Sequence, residues 1–348
     1  MNTDLHVVAM GARTPVGYSA QASAASARAG ISRIRLQVGS NGDSDDPLSL
    51  DAGLGDMSLS GAERMVVLGQ SALEEALHSL PASYRPATLE IPTLVGLPEG
   101  RPGWGPDEIA HVVAALTKVE AGALRVAPRP FASGHAALFP ALAQAQTLLA
   151  SGQSPVVIVG GIDSYIDGEA LEWLSECGQW KSERVRAGLI PGEAAAFVVL
   201  THARDAASLR MKPLARVRAH STARETKVIK TDAVSVGEGL SAAVSEIVAA
   251  VGPDGIVHDV YCDINGERYR SEEWGFVALR LAASFRDATA YHTGASVWGD
   301  VGAASGPLNM IRCVQAWRRS YAKGDTAIIW GSSEGGLRGA ALLSKISV

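Results

Sequence analysis

The chain has 348 residues, 47% apolar, 19% charged and 5% aromatic, with a formal net charge of −5. A chain of that length buries roughly three quarters of its extended surface, and its apolar balance excludes a disordered polymer. An acidic total with no Lys/Arg run removes the electrostatic basis of nucleic-acid binding, and no uncharged apolar run approaches the roughly 18–20 residues that span a bilayer.

In chain order, LHVVAM (5–10) reads as a buried strand that stops at Gly11, and AQASAASARAG (20–30) as a short helix closed by Gly30. No basic segment precedes a long apolar stretch at the N-terminus, so no signal peptide is expected. Residues 38–56 form an acidic loop. Its Asp cluster does not fit a calcium loop, because counting from Asp43 puts Leu48 where a glycine belongs. SGAERMVVLGQSALEEALHSL (60–80) has helical apolar spacing, with Ser60 as a cap and Glu63 three residues on. LEIPTLVGLPEG (89–100) is a strand running into a Pro/Gly loop.

RPFASGHAALF, from Arg129 to Phe139, follows a strand-like lead-in and opens a helix over 133–151. Pro140 lies inside that helix and is expected to cost a hydrogen bond or bend it. SPVVIVGG (154–161) reads as a strand buried on both faces. RAGLIPGEAAAFVVL (186–200) is a glycine-rich turn and a strand. The pattern then restarts: strand 213–219, helix 238–251, strand 257–264, helix 272–285, helix 301–318 and strand 326–331. Short apolar strands alternating with helices specify an α/β fold, and the restart suggests two similar halves, 1–200 and 201–348.

Cys177, Cys262 and Cys313 have no metal-ligand or redox spacing. All three read as packing residues in a reduced, cytoplasmic chain, with Cys262 also a candidate reactive thiol. No zinc site or Rossmann phosphate loop is present, so neither metal nor cofactor is expected. GSSEG (331–335) matches a hydrolase elbow, but too few residues follow Gly335, with no His or Asp among them.

Taken together, VVAMGARTPVG, FASGHAALFPALAQAQTLLASGQSPVVIVGGIDS, GLIPGEAAAFVVL, GDVGAASG and GSSEGGLRGAALL resemble, in order, the signature segments of β-ketoacyl-acyl carrier protein synthases. The resemblance spans nearly the whole chain. It implies a thiolase-like five-layered αβαβα sandwich built from two similar halves, usually a dimer. It also implies a Cys nucleophile at a helix N-terminus, where thiolate is favoured, and two His residues.

Carried over by position, all three are replaced: Phe131 stands at the Cys place, Asn265 at the first His and Asp300 at the second. Ala295 stands at the family's Lys, and Glu334 at its gating Phe. A phenyl ring cannot attack a thioester. An ionised Asp300 repels a malonyl carboxylate by about 4 kcal/mol at 4 Å and an effective dielectric near 20, on the order of a thousandfold in rate.

Ser133 with His135 is a substitute nucleophile and base only if the two face each other, which residues two apart on a helix do not. Asp263, Glu267, Asp300 and Glu334 bind a cation or a basic peptide or, on the simpler reading, pair with Arg268, Arg270 or Arg338 or face solvent. The expected function is a degenerate synthase-like partner subunit, resembling a chain-length factor or a secretion-cargo accessory protein. It forms a homodimer, or a heterodimer with a synthase-like or cargo protein, with acyl carrier protein a further partner. The alternative is an acyltransferase or decarboxylase acting on acyl carrier protein or acyl-CoA thioesters, with backbone N–H groups of Phe131 and Glu334 as oxyanion donors.

Overall fold

The computed structural model describes residues 2–37, 49–51, 53, 59, 61–81, 84, 89–229, 231, 233–252 and 255–346. Ser60 and residues 38–48 of the expected acidic loop lie outside the described residues, but Ser49–Asp51 of that stretch form a short strand where only loop is expected. Strand β1 (Asn2–Arg13) extends the expected run at both ends, and α1 (Ala20–Ala29) follows. Ser19 caps that helix by accepting the Ala22 N–H, and Gly30 ends it with a left-handed φ of 69°. β2 (Arg35–Gln37) and β3 (Ser49–Asp51) pair separately from the main sheet.

Next come α2 (Gly61–His78), β4 (Leu89–Leu97), α3 (Pro106–Leu116), β5 (Glu120–Ala121), β6 (Leu124–Ala132), α4 (Leu138–Ala150), β7 (Val156–Ser164), α5 (Gly168–Glu176), β8 (Glu193–His202) and α6 (Ala203–Ala206). The remaining chain forms β9 (Ala215–Arg224), α7 (Glu238–Val248), β10 (Asp259–Cys262), α8 (Arg268–Arg280), β11 (Tyr291–Thr293), α9 (Ala295–Trp298), α10 (Ser305–Arg318), β12 (Thr326–Ser332) and β13 (Leu337–Ser344).

The main sheet runs β11-β10-β12-β13-β9-β1-β8-β7-β4-β6-β5. Outward from its centre, β1-β8-β7-β4-β6 and β9-β13-β12-β10-β11 repeat one order, with two antiparallel pairings followed by two parallel ones. β1 and β9 join the runs antiparallel.

Side chains alternate across each strand and so serve two cores. On β7, Val157 and Val159 enter a central cluster while Val156 and Ile158 enter an outer one with α2 and α3. On β12, Ile329 joins the central cluster and Ile328 and Trp330 join the core under α7 and α8. Helices α4 and α10 fill the centre, each touching strands of both runs. The result is the αβαβα layering of the thiolase-like fold.

Two local expectations are corrected. The helix does not open at residue 133: Gly134 has φ +59°, outside the right-handed helical region, so a 3₁₀ turn (134–136) precedes α4. Pro140 consequently falls in the first turn of α4, where its missing N–H costs no intrahelical bond. The glycine-rich turn and strand expected over 186–200 are met, the strand running from Glu193; Gly192 in the turn threads past the neighbouring chain, and a Cβ there would sit 2.1 Å from the Trp298 carbonyl oxygen. Helix α5, capped by the Asp167 carboxylate accepting the Ala170 N–H, is not anticipated by the sequence reading. No helix among the described residues is long and apolar enough to cross a membrane.

Candidate functional site

β6 carries Phe131 to its end opposite Gly96 of β4. The chain then reverses, the Ser133 N–H donating to the Phe131 carbonyl at 2.8 Å. The half-buried ring packs on the margin of the central core. His135 follows the left-handed Gly134 and points inward, only 4% exposed.

The second half supplies the groups His135 meets. Asp300 sits in the loop before α10, held by its N–H to the Ile190 carbonyl at 2.6 Å and its carbonyl to the Gly192 N–H at 2.9 Å. His135 Nε2 lies 2.8 Å from Asp300 Oδ1, which also accepts the Gly302 N–H at 2.8 Å. Asn265, beyond the end of β10, donates from Nδ2 to Asp300 Oδ2 at 2.5 Å and to Glu267 Oε2 at 2.8 Å. Gln179 Nε2 donates to Glu267 at 2.9 Å and to Glu334 at 2.7 Å. Three of the substituted positions, Asn265, Asp300 and Glu334, therefore belong to one hydrogen-bonded network.

Arg270 is its hub and is fully buried. Its Nη1 donates to Asp263 Oδ2 and to the Ser332 carbonyl, each at 2.7 Å, while Nε lies 3.4 Å from Glu267 Oε2. Nη2 lies 3.4 and 3.3 Å from the two ring nitrogens of His135. One amino group cannot point along both nitrogen lone pairs at once, so the guanidinium lies against the ring face.

Burial and the Arg270 charge both oppose a charged imidazole. The Asp300 charge and hydrogen bond, with Asp263 behind them, outweigh them and raise the His135 pKa. Burial would raise Asp300, yet His135, Arg270 and the Asn265 hydrogen bond hold it well below the carboxylate range. Both shifts favour an imidazolium–carboxylate pair. Asp263 Oδ1 and Gln179 Oε1 are buried without a hydrogen-bond partner among the described residues.

The simpler reading of the acidic cluster holds in part. Asp263 and Glu267 pair with Arg270. Arg338 instead pairs with Glu273 at 2.5 Å, and Arg268 with Glu272 on the surface. Asp300 takes His135, a pairing the sequence reading does not make although it singles out both residues. No His, Cys, Asp or Glu group able to hold a metal occurs among the described residues. Arg270, Gln179 and Glu273 are also missed as partners. One signal was available: arginines in the first turn of α8 oppose the helix macrodipole, which marks them as held by carboxylates.

His135 is not arranged as a base for Ser133. Its ring is committed to Asp300 and Arg270, and among the described residues no hydrogen bond joins it to the Ser133 hydroxyl. The Ser133 carbonyl accepts from Ser333 Oγ, which in turn accepts the Ala136 N–H at 2.9 Å. Ser332 Oγ donates to Glu273 at 2.6 Å, so both serines of the GSSEG turn serve structure.

Cys262 is 1% exposed, and burial pushes its thiol far up, which suits packing rather than reaction. Cys313 is buried too, whereas Cys177 is exposed at the end of α5; that last packing expectation is wrong. Asn265, Asp300, Cys262 and Ala295 line a cavity of about 10 Å³, the size of one water molecule. It has no room for an acyl group.

No family model and no curated protein matches the sequence. Solved structures do match. A ketosynthase from module 6 of the bacillaene synthase of Bacillus subtilis 168 superposes with a TM-score of 0.77 at 14% identity, over 99% of this chain and 72% of that one. The ishigamide ketosynthase/chain length factor gives 0.80 at 12% identity over 100% of both chains. A type II ketosynthase, solved with its acyl-carrier protein and bound to a hexaketide, gives 0.77 at 12% identity over 99% of this chain and 100% of that one. The fold resemblance read from the sequence is thus met by the structure: the chain has the thiolase-like fold of the ketosynthases.

Proposed function

Given that fold, we propose that the chain is a ketosynthase-like partner subunit that binds another polypeptide and does not carry out condensation. The observation supporting this is the cavity of about 10 Å³ between Asn265 and Asp300. The positions where the resemblance implies a Cys and two His residues hold Phe131, Asn265 and Asp300, the last in a buried ion pair with His135. Phe131 offers no lone pair, Asn265 no titratable proton, and Asp300 is already engaged by His135. Among the solved proteins of this fold are a ketosynthase/chain length factor and a ketosynthase in complex with an acyl-carrier protein. A synthase-like or cargo polypeptide, and acyl carrier protein, are therefore the partner classes proposed for this chain, along with a second copy of itself. We further propose two homologous halves, 1–200 and 201–348, meeting near the end of β8.

The test is to mix the purified chain with acyl and malonyl carrier-protein thioesters. No extended product above a no-enzyme control is expected, and extension would overturn the proposal. Phe131→Cys combined with Asn265→His and Asp300→His is also expected to give little turnover, because Ala295 and Glu334 remain and His135 loses its counter-charge. Native mass spectrometry of the chain from its host should show a second polypeptide or a homodimer.

A further inference from the structure

Away from that network, α1 and the C-terminal end of α10 enclose a concavity of about 450 Å³. Helix α1 is AQASAASARA, so its inward face is built of small side chains that leave space beside α10. Ala24 and Ala25 line one wall, Gln315 and Tyr321 the other, and Arg28 and Arg319 the rim. Just beyond α10, Ser320 is a non-glycine residue with φ +57°. That turn folds Tyr321 back so that its N–H reaches the Ala316 carbonyl at 3.0 Å. The Arg28 guanidinium stacks on its ring at 3.8 Å.

Two features point to an occupant. First, no carboxylate among the described residues pairs with Arg28 or Arg319, although the chain as a whole is acidic. Both are close enough, with Arg312, to act on the Tyr321 hydroxyl against the upward push of burial. Second, the lining of the concavity is mostly apolar, so an alkyl body gains by leaving water there. A cationic rim and methyl-lined walls call for a ligand with an anionic head and an apolar body.

We propose that this concavity binds a small amphiphilic anion, a carboxylate or phosphate on an alkyl body, with the head between Arg28 and Arg319 and the body along the alanine face of α1. The site is independent of the condensing position and of the proposal made for it.

Calorimetric titration of the full chain with octanoate tests this, with octyl phosphate, 1-octanol and acetate in parallel. Octanoate or octyl phosphate should bind one to one, and the tighter of the two identifies the head group. Octanol, lacking the charge, and acetate, lacking the body, should each bind about tenfold or more weakly. Arg28→Ala with Arg319→Ala should weaken octanoate by about tenfold, and Ala25→Trp should abolish binding by filling the space. All three positions are exposed, so circular dichroism should show an unchanged fold. Absence of binding, octanol as tight as octanoate, or a double variant that binds like the wild type would overturn the proposal.

Discussion

The two ends of α10 are in opposite electrostatic states. At its N-terminal end the Gly302 and Ala303 N–H groups, just before the helix, are taken by Asp300 at 2.8 Å and Asp163 at 3.0 Å. Carboxylates there complement the positive pole of the helix, and they are tied in turn to His135 and Arg101. At the C-terminal end, Arg319 and Arg28 face a cavity. Thus the end that the resemblance marks as chemical is filled by the protein's own side chains, and the end that the resemblance does not mark has the room. Position in a fold and capacity to bind are separate properties.

The sharpest way to break this contrast is to remove the hub of the filled end. Arg270→Met leaves Asp263 and Glu267 buried beside an uncompensated site, and a loss of about 3–5 kcal/mol is expected in urea denaturation. A loss near that of a surface substitution would mean the network is not held electrostatically.

A smaller effect should follow pH. His135, faced by Asp300, Arg270 and Asp263, has a raised folded pKa. Its contribution is therefore complete below the ordinary histidine value and is lost as pH rises through the folded value. Asp300, being depressed, loses its contribution only in strong acid. The stability gap between the wild type and His135→Gln should shrink as pH rises above the ordinary histidine value. A gap that is flat or widens would make the imidazole neutral in the native state.

The smallest effect belongs to Arg268, two residues from Arg270 on the same helix but 82% exposed, in an i,i+4 pair with Glu272. Arg268→Ala should cost under about 0.5 kcal/mol in the same assay. A larger loss would blur the distinction between filled interior and solvated face.

What the sequence discloses follows from how far each signal reaches along the chain. β7 and β12 are readable because runs of β-branched and apolar residues suit strands buried on both faces. Gly30 marks a helix end through local backbone chemistry. The Phe131, Asn265 and Asp300 replacements are readable because each sits in a segment matched by order and spacing. The partner of His135 is not, because it lies 165 residues away and is chosen by the packing of two halves. Arg338 shows the same limit: its charge is visible, but its choice of Glu273 over the nearer Glu334 depends on where α8 crosses β13. Gly134 likewise displaces a helix start that apolar spacing alone would place at the elbow.

β6 has a consequence for how this chain tolerates company. Past Arg125 its outer side meets no strand among the described residues. Pro128 and Pro130 occupy alternate positions there while the ladder to β4 continues unbroken, so both imide nitrogens face outward. A row of free N–H groups would recruit any extended segment, including a copy of itself; this border cannot supply it. The margin of the sheet is blunted against fibril-like growth, and a polypeptide that docks here has to be recognised through side chains, not by lengthening the sheet.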